Sequence, residues 1–130
     1  MDLPAAEAAP TSVRLADYRP TAYRVTGVHL DFRLDPAETI VTATTGFVRR
    51  DETAPGTPLV LDGDELEMVS VHLDGVALSP SDYRHDRQRF ELVAPPAGEF
   101  HLTVVTRLDP AANTKLMGLY RSSGNWCTQC

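Results

Sequence analysis

Cysteine is scarce in these 130 residues: there are two, Cys127 and Cys130, at the last positions, where a bridge between them closes a tiny loop and staples nothing. A disulfide scaffold is excluded. No apolar run approaches the roughly 20 residues that a membrane-spanning helix needs, so no membrane partner is expected. Basic residues number 12 against 18 acidic ones, and the formal charge of -6 repels phosphate backbones, so nucleic acid is not expected as a partner either. Phosphate cradles of the G-x-G-x-x-G or G-x-x-x-x-G-K type are missing, as are the G-x-S-x-G nucleophile turn and the H-E-x-x-H zinc motif. The opening residues, Met1-Asp2-Leu3-Pro4, lack a basic segment followed by an apolar one, so no secretory signal is read and a cytoplasmic location is the expectation.

What is present is the composition of one folded domain, 42% hydrophobic and 23% charged, in a chain long enough for a single core. Residues 1 to 17, rich in Ala and Pro and without period, read as a mobile leader, and residues 18 to 130 as the domain. Tyr23 and Val25, then Val28, Leu30, Phe32 and Leu34, alternate with polar residues, which predicts a strand with one solvated face. The phase shift across Gly27 predicts a bulge there. Asp35-Pro36 breaks the ladder, and the β-branched stretch Thr39 to Val48 predicts an antiparallel return strand.

Leu59 to Leu61 reads as a short strand and Asp62-Gly63 as a turn. Alternation resumes at Val69, Val71 and Leu73, and Asp74-Gly75 signals a tight hairpin into Val76 to Leu78. Phe90 to Val93 and Phe100 to Leu108 read as a last hairpin around Pro95-Pro96-Ala97-Gly98. No window carries the 3.6-residue period, and the one helix-like start, Asp109-Pro110, runs out within about two turns. About eight short strands with half-polar faces need a second apolar face to cover them, which predicts an all-β fold, an antiparallel β-sandwich of two packed sheets.

Chemistry is sparse. His29, His72 and His101 each lie between apolar neighbours in a strand and are expected to face solvent, while His85 falls in the charged stretch Arg84 to Arg89, read as a solvated hairpin loop. Ser122-Ser123-Gly124 reads as a turn. Cys127-Thr128-Gln129-Cys130 has C-x-x-C spacing, which permits half of a zinc site or a redox pair. A zinc site needs two further ligands and a redox pair a helix start, so two ordinary thiols at a strand end is the simpler reading.

The stretch Asn113 to Ser122 (NTKLMGLYRS), followed by Cys127-Thr128-Gln129-Cys130, resembles the N-terminal domain of bacterial aminopeptidases of the M1 zinc metallopeptidase family. Tyr18-Arg19-Pro20, Tyr23, Asp31 to Leu34, Thr39 to Ala43 and Leu66 to His72 resemble the same domain in the same order, so the likeness covers about residues 17 to 130. It implies a saddle-type β-sandwich that lends one wall to a substrate site. The zinc, its H-E-x-x-H ligands and the catalytic glutamate belong to a following domain that this chain does not contain, so the chain alone is expected to hold no catalytic or metal-binding residue and to be inactive. The missing catalytic domain and, through it, peptide substrates are the partners implied. One residue is carried over: Gln129 matches the glutamine of the family's Thr-Gln-x-Glu element, which contacts the substrate's N-terminal residue, with the amine-gripping glutamate expected directly after Cys130.

Two other classes fit the residues. A stand-alone β-sandwich binding module would dock a partner on an exposed edge or apolar patch. Redox or metal chemistry would run through Cys127 and Cys130.

Overall fold

A computed structural model describes residues 12–130 of the chain. Its strands run in the order β1 (Tyr23–Arg33), β2 (Thr39–Arg49), β3 (Leu59–Asp62), β4 (Glu67–Leu73), β5 (Val76–Ala77), β6 (Tyr83–His85), β7 (Arg89–Leu92), β8 (Phe100–Leu108), β9 (Gly118–Ser122) and β10 (Asn125–Gln129). The only helical pieces among the described residues are single 3-10 turns at Leu15–Asp17 and Pro110–Ala112. Among the described residues no helix is long and apolar enough to cross a membrane. Of the expected leader, residues 1–11 lie outside the described residues, and 12–17 contribute only exposed side chains.

The all-β sandwich is confirmed. A five-stranded sheet, in the order β1-β2-β8-β4-β5, packs against a three-stranded sheet, β3-β7-β6, and β9-β10 form a separate hairpin. All pairings are antiparallel. The core takes Tyr23, Phe47, Val71, Phe100 and Leu102 from the large sheet and Leu59, Phe90 and Leu92 from the small one. Phe100 is its centre: wholly buried, it meets the Tyr23 ring edge-on at 5.9 Å and the Phe47 ring at 5.7 Å. The Tyr23 hydroxyl donates to the Thr57 carbonyl at 2.6 Å, which ties the start of β1 to the loop before β3.

The β1-β2 hairpin forms as its residues require. Pro36 cannot donate to a ladder, and Asp35 Oδ1 accepts from the Ala37 and Glu38 amides at 2.9 and 3.0 Å to close the turn. The fully buried Thr39 donates its hydroxyl to the Asp35 carbonyl at 2.7 Å. The register between the strands shifts between Val25 and Gly27, so Val25 and Val28 stay on one face, as the phase of the sequence predicts. The glycine the bulge needs is, however, Gly46 on the partner strand. A Cβ on Gly27 would meet nothing, whereas one on the buried Gly46 would lie 2.2 Å from Thr26 Oγ1. Asp74 and Gly75 both take positive φ, 48° and 82°, giving the expected tight hairpin between β4 and β5.

Four expectations are corrected. Phe90 to Val93 and Phe100 to Leu108 are not hairpin partners: β7 lies between β3 and β6, and β8 lies between β2 and β4. The Pro-rich connection crosses from one sheet to the other, and Leu92 and Phe100 belong to one core from opposite layers. Val69 does not share a face with Val71 and Leu73. The ladder to β8 shifts between Met68 and Ser70, leaving Val69 exposed and putting Met68 against the core instead. His85 ends strand β6 rather than lying in a loop, paired with Phe90 in the β6-β7 hairpin. The turn there is closed by Asp86, whose Oδ1 accepts from the Gln88 and Arg89 amides at 2.8 and 2.9 Å, and those bonds lower its carboxyl pKa. Finally, the described residues form ten strands where about eight are expected.

Candidate functional site

The feature that projects from the sandwich is the β9-β10 hairpin, which carries Gln129. Ser123 and Gly124 take φ of 50° and 79°, the pair of positive values that a two-residue turn matched to strand twist requires. Register follows from that turn: Asn125 opposes Ser122, Trp126 opposes Arg121, Cys127 opposes Tyr120 and Gln129 opposes Gly118. The Arg121 guanidinium lies over the Trp126 ring at 4.5 Å, a cation-π contact that stiffens one face of the hairpin. Gln129 lies on the other face, in line with Cys127 and Tyr120, because side chains alternate. Its cross-strand neighbour Gly118 has no side chain, so the exposed Gln129 amide has open space beside it.

The hairpin is fastened at its base by residues that the sequence reading assigned no role. Asn113 Nδ2 donates to the Met117 and Leu119 carbonyls at 2.8 and 2.9 Å, and its Oδ1 accepts from the Lys115 amide at 3.1 Å. One side chain therefore holds both ends of a loop in which Leu116 and Gly118 take φ of 60° and 72°. Lys115 Nζ reaches the body of the domain, 2.9 Å from Asp64 and 3.4 Å from Glu65 in the β3-β4 connection. The Asp64 hydrogen bond, together with both carboxylate charges, raises the Lys115 pKa above its ordinary value. Asp109 caps the Pro110–Ala112 turn by accepting from the Ala112 amide at 3.1 Å, and the Ala111 amide donates to Pro36 at 2.8 Å. Together these groups wall a cleft of about 430 Å³ between the β3-β4 connection and the hairpin base. The signal for Asn113 was available: asparagine's amide bonds local backbone wherever the chain turns.

The other candidates lie apart. His29 and His101 are exposed on the outer face of the large sheet, and His72 is half-buried in the same layer. Register places His29, Thr44, Thr103 and His72 in one row across four strands, with a hydroxyl contact of 3.1 Å between Thr44 and Thr103. His85 stands elsewhere, stacked near Tyr83 at 5.8 Å. Cys127 and Cys130 are free thiols, half-buried and exposed. Among the described residues no group of three His, Cys, Asp or Glu side chains converges to hold a metal ion, so the residues present do not fit zinc.

No family model matches the sequence. Individual proteins do. The chain is 41% identical over 121 residues to aminopeptidase N of Caulobacter vibrioides, 42% over 116 to that of Haemophilus influenzae and 37% over 114 to that of Escherichia coli. These matches take in 88% to 93% of this chain but only 12% to 14% of the relatives' lengths. Among solved structures, Legionella pneumophila aminopeptidase A, in complex with aspartic acid, superposes with a TM-score of 0.74 at 26% identity, over 86% of this chain and 13% of that one. An M1 zinc metallopeptidase from Deinococcus radiodurans, an E323A mutant bound to a Tyr-Ser-Ala substrate, shares the fold with a TM-score of 0.61 at 17% identity, over 79% of this chain and 25% of that one. Over nearly its whole length the chain is homologous to the N-terminal region of aminopeptidases N, and it shares its fold with the corresponding domains of the solved aminopeptidases.

Proposed function

We propose that this chain forms the N-terminal domain of a zinc-dependent aminopeptidase that removes N-terminal residues from peptides, and that it supplies one wall of the substrate site through Gln129. The observation that carries the reading is the identity of 37% to 42% to aminopeptidases N along nearly the whole chain. The geometry is in keeping with it. An amide that orients a substrate has to be held still, and Gln129 stands on a short hairpin with a tight turn, an Arg121-Trp126 stack and a double Asn113 fastening. Zinc would be held by residues outside these 130, and would supply there a Lewis acid for the scissile carbonyl and for an attacking water. The part played here is to bind and orient the substrate, and the isolated chain is expected to turn over nothing. Two unpaired thiols accord with a cytoplasmic enzyme.

The test is to read the gene beyond Cys130 and express the whole product. A glutamate codon directly after Cys130 and an H-E-x-x-H motif downstream are required, with hydrolysis of aminoacyl-arylamides that a chelator abolishes. Replacing Gln129 by Ala in that enzyme is expected to lower kcat/KM by about 10- to 100-fold, the loss of one or two charge-assisted or neutral hydrogen bonds to substrate. A reading frame without those motifs, or unchanged kinetics in Gln129→Ala, overturns the assignment.

A further inference from the structure

The β9-β10 hairpin is a sheet of its own, bonded to neither layer of the sandwich. Two strands alone are marginally stable, so where such a hairpin stands is set by what fastens it. The bonds of the Asn113 side chain, to the Lys115 amide and the Met117 and Leu119 carbonyls, stay within one segment. They fix the shape of the loop and not its distance from the sandwich. Among the described residues, no hydrogen bond or ion pair but those of Lys115 runs from residues 113–130 to residues 12–108. Its ammonium lies 2.9 Å from Asp64 and 3.4 Å from Glu65, and all three residues line the cleft of about 430 Å³, so this contact links the two walls.

Backbone geometry singles out the same place. Among the described residues four other than glycine take positive φ, and two of them, Asp74 and Ser123, open two-residue hairpin turns that require it. The other two flank the ion pair: Glu65, at 56°, is itself a partner of Lys115, and Leu116, at 60°, follows it in the chain. Left-handed backbone is disfavoured for a leucine, and Leu116 is half exposed, so burial of its side chain does not hold it there. Such a conformation persists only where its surroundings impose it. Asn113 does so from within the loop and Lys115 from across the cleft. Leu116 lies two residues before Gly118, the cross-strand neighbour of Gln129, so a change of φ at Leu116 redirects β9 and carries Gln129 with it.

We infer that Lys115, tied to Asp64 and Glu65, is a positioning residue for the aminopeptidase reaction: it sets where the β9-β10 hairpin stands against the sandwich, and so where Gln129 meets the N-terminal residue of the substrate. The inference rests on the reading of Gln129 as a substrate contact. All three charged side chains are more than half exposed, and exposed pairs contribute little to global stability, so folding does not depend on them. A tether acts on a smaller difference, between two placements of one element. Both carboxylates favour the charged lysine, so the tether is in force at neutral pH. Salt weakens it, because the Debye length falls from about 10 Å at 0.1 M to about 3 Å at 1 M.

The experiment measures aminoacyl-arylamide hydrolysis by the full-length protein at about 0.02 M and about 0.5 M NaCl. Lys115→Met is expected to raise KM about three- to fivefold at the lower salt, with kcat changed by less than about twofold, since substrate binding is lost while the hairpin is misplaced. Lys115→Arg keeps the charge and should keep the parent's KM. At the higher salt the ratio of KM between Lys115→Met and the parent should fall toward one. In a Gln129→Ala background Lys115→Met should change KM by less than about 1.5-fold, because its effect runs through that amide. No rise in KM, a ratio that is the same at both salts, or the full rise in the Gln129→Ala background overturns the inference. Hydrogen exchange over residues 117–129 needs no turnover: Lys115→Met should speed it about three- to fivefold at the lower salt and leave β2 and β8 unchanged. Unchanged exchange in β9 and β10 overturns the inference whatever the kinetics, whereas faster exchange in a full-length protein that hydrolyses nothing refutes the aminopeptidase reading alone.

Discussion

Gly46 offers the sharpest test of the way the large sheet is built. It is buried at the bulge between β1 and β2, and a methyl group there would lie 2.2 Å from Thr26 Oγ1 and 3.2 Å from His101 Nε2. Thr26 is not free to withdraw, because its hydroxyl is held 2.7 Å from Glu99 Oε1. Relief in Gly46→Ala therefore requires either a χ1 rotation that gives up that hydrogen bond, about 1 kcal/mol, or a backbone shift of the overpacking kind, about 1–3 kcal/mol. The expected cost is about 2 kcal/mol. With a urea m-value of about 1.5 kcal/mol/M, this moves the unfolding midpoint down by about 1.3 M, read by far-UV circular dichroism. The cause is isolated by a double-mutant cycle. Thr26→Ala removes the clashing atom and should return about 1 kcal/mol or more of the Gly46→Ala penalty, whereas Thr26→Ser keeps the oxygen and should return little. A Gly46→Ala protein as stable as the parent, or a penalty that is the same in the Thr26→Ala and Thr26→Ser backgrounds, refutes the steric account.

Phe100→Ala should cost about 3–5 kcal/mol, since it empties the one position that touches both neighbouring rings, and urea titration showing a loss below about 1 kcal/mol would contradict the placement of the core. Asn113→Ala should leave the sandwich's midpoint nearly unchanged while hydrogen exchange speeds selectively in β9 and β10; exchange that stays as slow as in the parent would show that the fastening is dispensable. Burial holds the Tyr23 phenol above its usual 10.0 despite the nearby Arg49 guanidinium. A pKa raised on folding supports the fold fully below the unfolded value and loses that support as pH climbs through the folded one. Tyr23→Phe, which forfeits the bond to Thr57, should therefore be less stable than the parent by about 1 kcal/mol near pH 8, with the gap narrowing above about pH 10. A gap that widens there in urea titrations reverses the sign and sinks the argument.

Local order was legible wherever one residue type dictates one conformation. Asp74-Gly75 turns the chain because both positions accept positive φ, Asp35-Pro36 ends β1 because proline has no amide to donate, and the phase slip around Gly27 announced the bulge. Alternation likewise marked which side of β1 is apolar. The all-β class follows from these signals alone, since a period of two repeated along the chain admits no helix.

Pairing between distant strands was decided only by the tertiary structure, because alternation states that a strand has two faces and not which strand lies beside it. Phe90 to Leu92 and Phe100 to Leu108 are neighbours in sequence, yet they sit in different sheets, where Phe90, Leu92, Phe100 and Leu102 meet in one core from opposite layers. Val69 looked like core until the bulge in β4 turned it out and brought Met68 in. The same holds for the site. Residues Asn113 to Ser122 and Cys127 to Cys130 carried the resemblance, but that Asn113 fastens Gln129's hairpin and that Lys115 meets Asp64, a carboxylate 51 positions away, appears only in the folded chain. Sequence fixes the conformational preferences of each residue through its own φ and its own hydrogen-bonding groups; the assembly of layers is a competition among long-range burials, which no local pattern records.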